Sequence, residues 1–326
     1  MSTYETRVAE EQRQYAENEN VHDLPGICFY WLNKYILPQM ASFGYAGADE
    51  FFLLNLQKVY GATDRPRRRF LSIGAGNCDM EVRLAKHLHA AGMRDFTIDC
   101  MDLNAAMIER GSADAAAQGL SGAVNPLVAD FNAWQPQHRY DAIIANQALH
   151  HVVELERLFE GVRISLTQTG SFIVSDMIGR NGHKRWPEAL VLVQEFWREL
   201  PESHRYNRQL QQFDVEYLDW DCSKEGFEGI RSQDILPLLL QSFQFGFFYA
   251  FSNVADPFVD RSYGPNFDAT REWDRHFIDR VHACDEAGLA NGTLKPTHML
   301  AVLHAESVDT LICRDKLTPE FCVRWP

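Results

Sequence analysis

Glycines and aspartates stand at the ends of three short apolar segments in the first half of the chain. Residues 70–73 lead directly into Gly74 and Gly76, the next segment ends at Asp102, and a third precedes Asp130. Glycine allows a tight turn and a close approach to a ligand, and a carboxylate at a strand end can accept two hydrogen bonds from a ribose diol. These positions therefore predict a site that binds a nucleoside.

The glycine loop departs from the dinucleotide-binding pattern G-x-G-x-x-G, because the chain has Asp79 where that pattern needs its third glycine. A carboxylate at the start of the following helix would repel a pyrophosphate. The loop favours a ligand without phosphates. It argues against an NAD(P)-dependent oxidoreductase, which stays as an alternative.

Two adjacent histidines follow the fourth apolar segment and are the first candidates for catalysis. Imidazole has an ordinary pKa of about 6.5, so His150 or His151 could remove a proton from an acceptor. The same pair could instead finish the strand and contact the backbone. Weaker candidates for the base are His183, Asp176 and Tyr30.

Hydrophobic periodicity between residues 70 and 175 alternates between strands and amphipathic helices. Strands are predicted at residues 70–73, 96–101, 124–129, 142–145 and 172–175. Between the first two, Met80, Leu84 and Leu88 recur at helical spacing before Gly92. Helices of this length between strands make parallel crossovers, so we predict a doubly wound, mostly parallel α/β sheet.

With these elements in order, the chain resembles the class I S-adenosylmethionine-dependent methyltransferases. It resembles particularly the broad small-molecule group in which Leu-His-His follows the fourth strand, as residues 149–151 do here. The resemblance covers about residues 67–180 and extends weakly through 230–251 and 297–305. It implies a seven-stranded Rossmann-like sheet, S-adenosyl-L-methionine as cofactor and S-adenosyl-L-homocysteine as product.

The resemblance also implies cofactor-binding roles for eight residues near the strand ends. They are Gly74 and Gly76 at the methionine moiety, Asp102 at the ribose hydroxyls, Leu103, Asp130 and Phe131 at the adenine, and Asn146 and Gln147 beside the transferred methyl. Two positions depart from the family pattern. Ser72 replaces a frequent Asp or Glu that helps to organise the amino end of the cofactor, and Cys78 replaces a frequent third glycine.

Outside this core, we predict a helical cap over residues 1–66, a methyltransferase domain over 67–305 and a tail over 306–326. Insertions at about 181–229 and 252–296 would lie over the edge of the sheet where ligands bind, as lid candidates. Further predictions are a helix from Pro187 to Leu200, a helix over 232–243, and strands over 245–251 and 298–304.

Composition narrows the possible partners. The net charge of −14 and the lack of a large basic cluster argue against nucleic acid. The polar N-terminus and the absence of a long apolar run predict a cytoplasmic protein without membrane contact. The seven cysteines form no C-x-x-C pair, and we predict no metal site. The sequence leaves the oligomeric state open.

The function predicted from the sequence is methyl transfer from S-adenosylmethionine to a small molecule. An oxygen acceptor is favoured, with nitrogen and carbon as alternatives. The Asn- or Asp-Pro-Pro-Tyr motif, which relatives that methylate amide and adenine nitrogens use to grip a planar amine, is absent and narrows the acceptor slightly. A different possibility is a catalytically inactive, methyltransferase-like binding protein, which Ser72 and Cys78 keep open.

Overall fold

An eight-stranded sheet lies at the centre of the protein, seen in a computed structural model that describes residues 4–17, 23–224 and 226–325. The strands in chain order are β1 (Arg68–Ile73), β2 (Phe96–Asp102), β3 (Val124–Val128), β4 (Tyr140–Asn146), β5 (Leu166–Met177), β6 (Tyr206–Asn207), β7 (Gln212–Phe213), β8 (Gln244–Phe251), β9 (His298–His304) and β10 (Ile312–Cys313). The short β6 and β7 pair only with each other, as a hairpin outside the sheet.

The sheet has the order β10-β8-β9-β5-β4-β1-β2-β3. Neighbouring strands from β1 to β5 are parallel, and β9 runs antiparallel to both β5 and β8. This is the predicted doubly wound, mostly parallel sheet. It has one strand more than the predicted seven, because Ile312 and Cys313, in the predicted tail, pair with β8.

Twelve α-helices surround the sheet within the described residues. They are α1 (Tyr4–Glu17), α2 (Gly26–Trp31), α3 (Leu37–Ser42), α4 (Ala48–Ala62), α5 (Asp79–Ala90), α6 (Ala105–Ala117), α7 (Leu155–Ser165), α8 (Pro187–Glu199), α9 (Ser232–Ser242), α10 (Asp256–Val259), α11 (Glu272–Asn291) and α12 (Pro319–Cys322). A π-helical stretch, Leu32–Ile36, joins α2 to α3. Among the described residues, no helix combines the length and the apolar character needed to cross a membrane.

The two faces of the sheet are both buried. Along β4, Ala142 and Ile144 pack into one core with α2–α6, α8 and α11, whereas Ile143 and Ala145 pack into a second core with α7, α9 and α12. A parallel strand covered on both sides needs apolar residues at every position, which explains the continuous apolar runs in the sequence.

A buried carboxylate lies beside Ser72, at the position where the sequence lacks the family's usual acid. Glu81 of α5 is 2% exposed, and the Ser72 hydroxyl donates a 2.6 Å hydrogen bond to its Oε1. Its Oε2 is buried without a hydrogen-bond partner. Burial raises the pKa of Glu81 to about 7, although the bond from Ser72 acts in the opposite direction. A helix residue thus places a buried acid beside the serine of β1.

Close packing against the glycine loop depends on Gly111 of α6. A Cβ at this position would collide with the carbonyl oxygen of Asn77 and lie 2.8 Å from Sγ of Cys78. Cys78 itself adopts a left-handed conformation, with φ of 58°, immediately before α5. The close approach that a third glycine in the loop would allow is therefore provided by a glycine on the neighbouring helix.

We predict that Gly111→Ala lowers the free energy of unfolding by about 1–3 kcal/mol, because the added methyl group must displace the backbone of the loop. Gly61→Ala is the matched control, since Gly61 lies in α4 and a Cβ there meets no atom within 4 Å. That control should be neutral or stabilising by up to about 1 kcal/mol. Urea unfolding of both variants measures the difference, and equal stabilities would contradict the packing described here.

We also predict a pH-dependent effect of Glu81→Gln. The folded state binds the Glu81 proton more tightly than the unfolded state, whose pKa is 4.5, so Glu81 stabilises the fold least at high pH. The unmodified protein should lose about 2–3 kcal/mol of stability from this residue between pH 5 and pH 8, and the variant should not. Urea unfolding at both pH values measures the change.

Burial also raises the pKa values of Asp260 and Asp285. Both residues are present in the unmodified protein and in Glu81→Gln, so their contributions to the pH dependence cancel in the comparison. Glu109→Gln, at an exposed position of α6, is the control and should keep the pH dependence of the unmodified protein. If Glu81→Gln keeps it as well, Glu81 is not the source of the predicted slope.

Candidate functional site

The loop after β1 forms a cradle that a side chain would fill. Gly74 and Gly76 have φ values of +69° and +53°, in the left-handed region that favours glycine. The Gly74 N–H bonds to the carbonyl oxygen of Met101 at 2.8 Å. A Cβ on Gly74 would lie 2.6 Å from Cβ of Ala148, in the turn after β4. The loops that follow β1 and β4 therefore touch each other.

Asp102 ends β2 and faces this cradle. Its Oδ2 accepts a hydrogen bond from the Gly76 N–H at 2.9 Å, and its Oδ1 accepts one from the Asn104 N–H at 2.8 Å. Asn104, rather than Asp102, caps α6 by accepting from the N–H groups of Ala106 and Met107. Asp102 is thus not a helix cap, and half-buried Leu103 follows it at the same edge.

Asp130 follows β3 and is joined to the N-terminal helix. Its Oδ2 accepts a 2.6 Å hydrogen bond from the hydroxyl of Tyr4, and its Oδ1 accepts one from the Asn132 N–H. Half-buried Phe131 packs against the core on the α7 side of the sheet. Helix α1 therefore reaches the acid that the sequence assigned to adenine recognition, a contact that no motif in the sequence indicated.

Helix α1 also reaches the segment before Glu228. The ring of Tyr4 lies 5.5 Å from that of Phe227, and the Arg7 guanidinium donates to the carbonyl oxygens of Ser223 and Gly226. The helix thus bridges Asp130 and the end of the first predicted insertion.

Asn146 and Gln147 lie at the end of β4. Asn146 pairs with Ser175 in the register of β4 and β5, and it is half-buried. Gln147 is exposed and has a φ of +53°, and its N–H donates to the carbonyl oxygen of Ser175 at 2.7 Å. This left-handed residue turns the chain sharply toward the two histidines.

Asp176 of β5 fixes that turn. The carboxylate is completely buried and accepts hydrogen bonds from the N–H groups of Ala148 and Leu149 at 2.9 and 2.7 Å. Its other oxygen contacts Nδ1 of His150 at 2.7 Å. Burial would raise the pKa of Asp176, but His150 and the backbone donors hold it below its ordinary value. From the sequence, Asp176 is a weak candidate for the base. In the structure, the Asp176 carboxylate instead orients the ring of His150.

Three histidines and one glutamate come together beyond this turn, and we call His150, His151, His183 and Glu228 the histidine cluster. Oε1 of Glu228 lies 2.5 Å from Nε2 of His183 and 3.4 Å from Nε2 of His150. Its Oε2 lies 3.4 Å from Nε2 of His151. Sequence reasoning named the three histidines but missed Glu228. That residue lies within the first predicted insertion, and the one local signal is that glycines flank its segment at 226 and 229.

Backbone contacts hold the cluster in place. The Ile230 N–H donates to the carbonyl oxygen of His150 at 3.0 Å, and the Gly182 N–H donates to that of Gly229 at 2.8 Å. Buried Arg185 donates to the carbonyl oxygen of His183 at 2.8 Å and pairs with Asp256 at 2.8 Å. The segments that carry His150, His183 and Glu228 are thus bonded to one another or to the core.

Burial and charge oppose each other in the histidine cluster. Burial disfavours the charged form of His150, but Asp176 and Glu228 outweigh it and raise its pKa to about 10. Burial would raise the pKa of Glu228, but the three histidines hold it well below its ordinary value. Burial lowers the pKa of His183, which the bond to Glu228 offsets only in part. At neutral pH the cluster therefore holds a cationic His150 beside an ionised Glu228.

Two other features lie away from the cluster. Tyr30, a weak candidate base from the sequence, instead donates a 2.8 Å hydrogen bond to Asp279 of α11.

A cavity of about 470 Å³ lies against the sheet face beside Arg69, Asp99, Trp134 and Tyr140. Part of its lining comes from residues 129–138, in the non-helical segment that connects β3 to β4.

The comparison with protein families gives one match. Residues 71–172 match the family model described as a methyltransferase domain. This range begins in β1, includes the glycine loop, Asp102 and both adjacent histidines, and ends in β5. No curated protein shows significant sequence similarity to the chain.

Solved structures with a similar fold include several methyltransferases. The O-methyltransferase of a trans-AT PKS multienzyme from Brevibacillus brevis, solved with S-adenosyl-L-homocysteine, is 12% identical, with a TM-score of 0.45 over 88% of this chain and 84% of that one. A putative sarcosine dimethylglycine methyltransferase from Galdieria sulphuraria is 14% identical, with a TM-score of 0.44 over 79% and 85%. Geranyl diphosphate C-methyltransferase from Streptomyces coelicolor is 10% identical, with a TM-score of 0.44 over 78% and 75%.

These similarities are too low to transfer an acceptor from any of those proteins. The domain match, in contrast, falls on the strands and the glycine loop that resemble the methyltransferases in sequence. The cradle at Gly74 and Gly76 and the acid at the end of β2 also fit the methionine and ribose of the cofactor. The chain therefore contains a methyltransferase domain over residues 71–172.

Proposed function

We propose that this methyltransferase acts on an oxygen atom of a small molecule bound at the carboxyl edge of the sheet. The observation that carries the proposal is the contact between Gly74 and Ala148, which brings the glycine loop next to the turn that holds His150. Groups that handle the proton of a hydroxyl thus lie beside groups suited to the methyl donor. Transfer to oxygen needs such a proton acceptor, whereas the activated methyl itself needs little help.

The cofactor would be held by residues from four strand ends. We assign Gly74 and Gly76 to the methionine moiety, Asp102 to the ribose hydroxyls, Leu103, Asp130 and Phe131 to the adenine, and Asn146 and Gln147 to the methionine end near the methyl. When bound, S-adenosylmethionine supplies an electrophilic methyl group, which leaves its sulfur as the acceptor oxygen forms the new bond. The hydroxyl proton must then be taken up by the protein or by water.

His150 and His151 are the proposed catalytic residues. Both nitrogens of His150 face carboxylates, Asp176 at 2.7 Å and Glu228 at 3.4 Å, and carboxylates only accept hydrogen bonds. His150 would therefore carry a proton on each nitrogen and stabilise an oxyanion by its charge. His151 would take the hydroxyl proton, since it lies next to His150 in the chain and its Nε2 is 3.4 Å from Oε2 of Glu228.

In this proposal, the predicted helical cap and the first insertion cover the site as a lid. Within the predicted cap over 1–66, helix α1 would cover the cofactor, because Tyr4 and Arg7 connect it to Asp130 and to the segment before Glu228. The insertion at about 181–229 supplies His183 and Glu228. Residues 67–305 would form the catalytic domain, with the insertion at about 252–296 beside it and the tail at 306–326.

The proposal predicts that His151→Gln lowers methyl transfer by about 100-fold or more while leaving the affinity for S-adenosylhomocysteine within about twofold.

A second prediction concerns the cofactor site. Asp102→Ala should weaken the affinity for S-adenosylhomocysteine by about 10- to 100-fold, because two charge-assisted hydrogen bonds are lost. The assay uses S-adenosylmethionine with a deuterated methyl group, a panel of hydroxylated small molecules, mass spectrometry for product and calorimetry for binding.

His276→Gln, at an exposed position of α11, is the matched control and should change neither quantity. Label found only on nitrogen or carbon would overturn the oxygen acceptor. Full turnover of His151→Gln would remove His151 from the proposed proton transfer.

A further inference from the structure

We infer that His150, His183 and Glu228 form a binding site for a divalent transition-metal ion of the Zn²⁺ type. One ligand atom from each residue lies within 4.8 Å of the other two. Among residues 4–17, 23–224 and 226–325, this is the one group of three or more histidine, cysteine or carboxylate side chains that is so arranged. The sequence predicted no metal site, because its cysteines form no C-x-x-C pair and no motif marks Glu228.

The hydrogen-bonding capacity of these side chains favours an ion at their centre. Without an ion, His150 and His183 must each carry a proton on Nε2 in order to donate to Oε1 of Glu228. His150 also needs a second proton, on Nδ1, to donate to Asp176. A divalent cation would instead accept the lone pairs of two neutral imidazoles. It would also balance the two negative charges of Asp176 and Glu228.

The contact between Asp176 and His150 is the arrangement found around metal-bound histidines. A ligating imidazole usually donates its other N–H to a carboxylate, which fixes the ring and makes the ligating nitrogen more basic. Here Nδ1 of His150 lies 2.7 Å from the completely buried carboxylate of Asp176, so Nε2 is left to face Glu228 and His183. The ring of His150 therefore has its orientation fixed from behind.

The positions of the ligands are largely set before any ion binds. Ile230 and His150 share a backbone hydrogen bond, as do Gly182 and Gly229, so the three ligand segments are joined. In a tetrahedral zinc site with bonds of 2.0–2.1 Å, ligand atoms lie about 3.3 Å apart. The 3.4 Å between His150 and Glu228 matches this spacing. The 2.5 Å between His183 and Glu228 would have to open by about 1 Å.

The donor set indicates the class of ion. Two imidazole nitrogens and one carboxylate oxygen suit Zn²⁺, Fe²⁺ or Co²⁺, whereas Mg²⁺ and Ca²⁺ prefer oxygen ligands. Three protein ligands leave a coordination position for water or for an oxygen of the acceptor.

On the proposed function, the ion would bind the acceptor hydroxyl, lower its pKa and replace the His150 cation in stabilising the oxyanion. His150 would then be a neutral ligand, and His151 would still take the proton. The substrate class would then be a hydroxyl compound whose oxygen can ligate a metal ion. The assignment of the metal site itself does not require any methyl transfer.

The test is metal binding by the full-length protein, treated with a chelator and without S-adenosylmethionine or acceptor. Titration with Zn²⁺ in a calorimeter should show one ion per chain, and Co²⁺ should give visible absorption bands of nitrogen and oxygen ligation. His183→Gln and Glu228→Gln should each weaken Zn²⁺ binding at least tenfold. Asp176→Asn should weaken it by about 10- to 100-fold, although Asp176 would not touch the ion. His276→Gln should bind as the unmodified protein does.

The cobalt spectrum of the unmodified protein decides the question even if a variant fails to fold. Near-ultraviolet bands of thiolate charge transfer would assign the ion to a cysteine and overturn the inference. Zn²⁺ affinities unchanged in folded His183→Gln and Glu228→Gln would also overturn it, as would no binding at all. If no ion binds but oxygen is methylated, the metal site is wrong and the proposed function stands. If the ion binds and no oxygen is methylated, the metal site stands and the proposed function is wrong.

Discussion

The burial of one ionised carboxylate, Asp176, sets the geometry of the whole site. A buried charge is costly unless it is hydrogen-bonded, and Asp176 meets this requirement with the N–H groups of Ala148, Leu149 and Met177 and with Nδ1 of His150. Because these donors come from the turn after β4 and from the end of β5, the carboxylate ties the two strand ends together. The turn cannot move without leaving the charge unsolvated.

The rest of the site follows from that turn. Ala148 faces the position where a Cβ of Gly74 would lie, so the turn fixes how closely the glycine loop can approach. His150, two residues further along, is aimed at Glu228 and His183, which reach it from the first insertion. The glycine cradle and the histidine cluster therefore lie on two sides of one turn, an arrangement that suits a reaction that depends mainly on alignment.

The sequence predicted what depends on local pattern and missed what depends on long-range contact. Buried parallel strands produce apolar runs, so the order of strands and helices could be deduced, and the glycines and Asp102 stand at predictable strand ends. The glutamate between Gly226 and Gly229 has no periodic or motif signal, and it meets His150 only because the chain folds back over 78 residues. Glu81 was missed for a related reason, since it belongs to a helix and meets Ser72 only in the folded chain.

The most direct test of this account is a crystal structure of the protein with S-adenosylhomocysteine. The account predicts that the ribose hydroxyls bond to Asp102, that the homocysteine chain crosses Gly74 and Gly76, and that the sulfur faces the histidine cluster. A nucleoside bound elsewhere, for example in the cavity beside Trp134 and Tyr140, would contradict it. So would a sulfur that points away from His150 and Glu228.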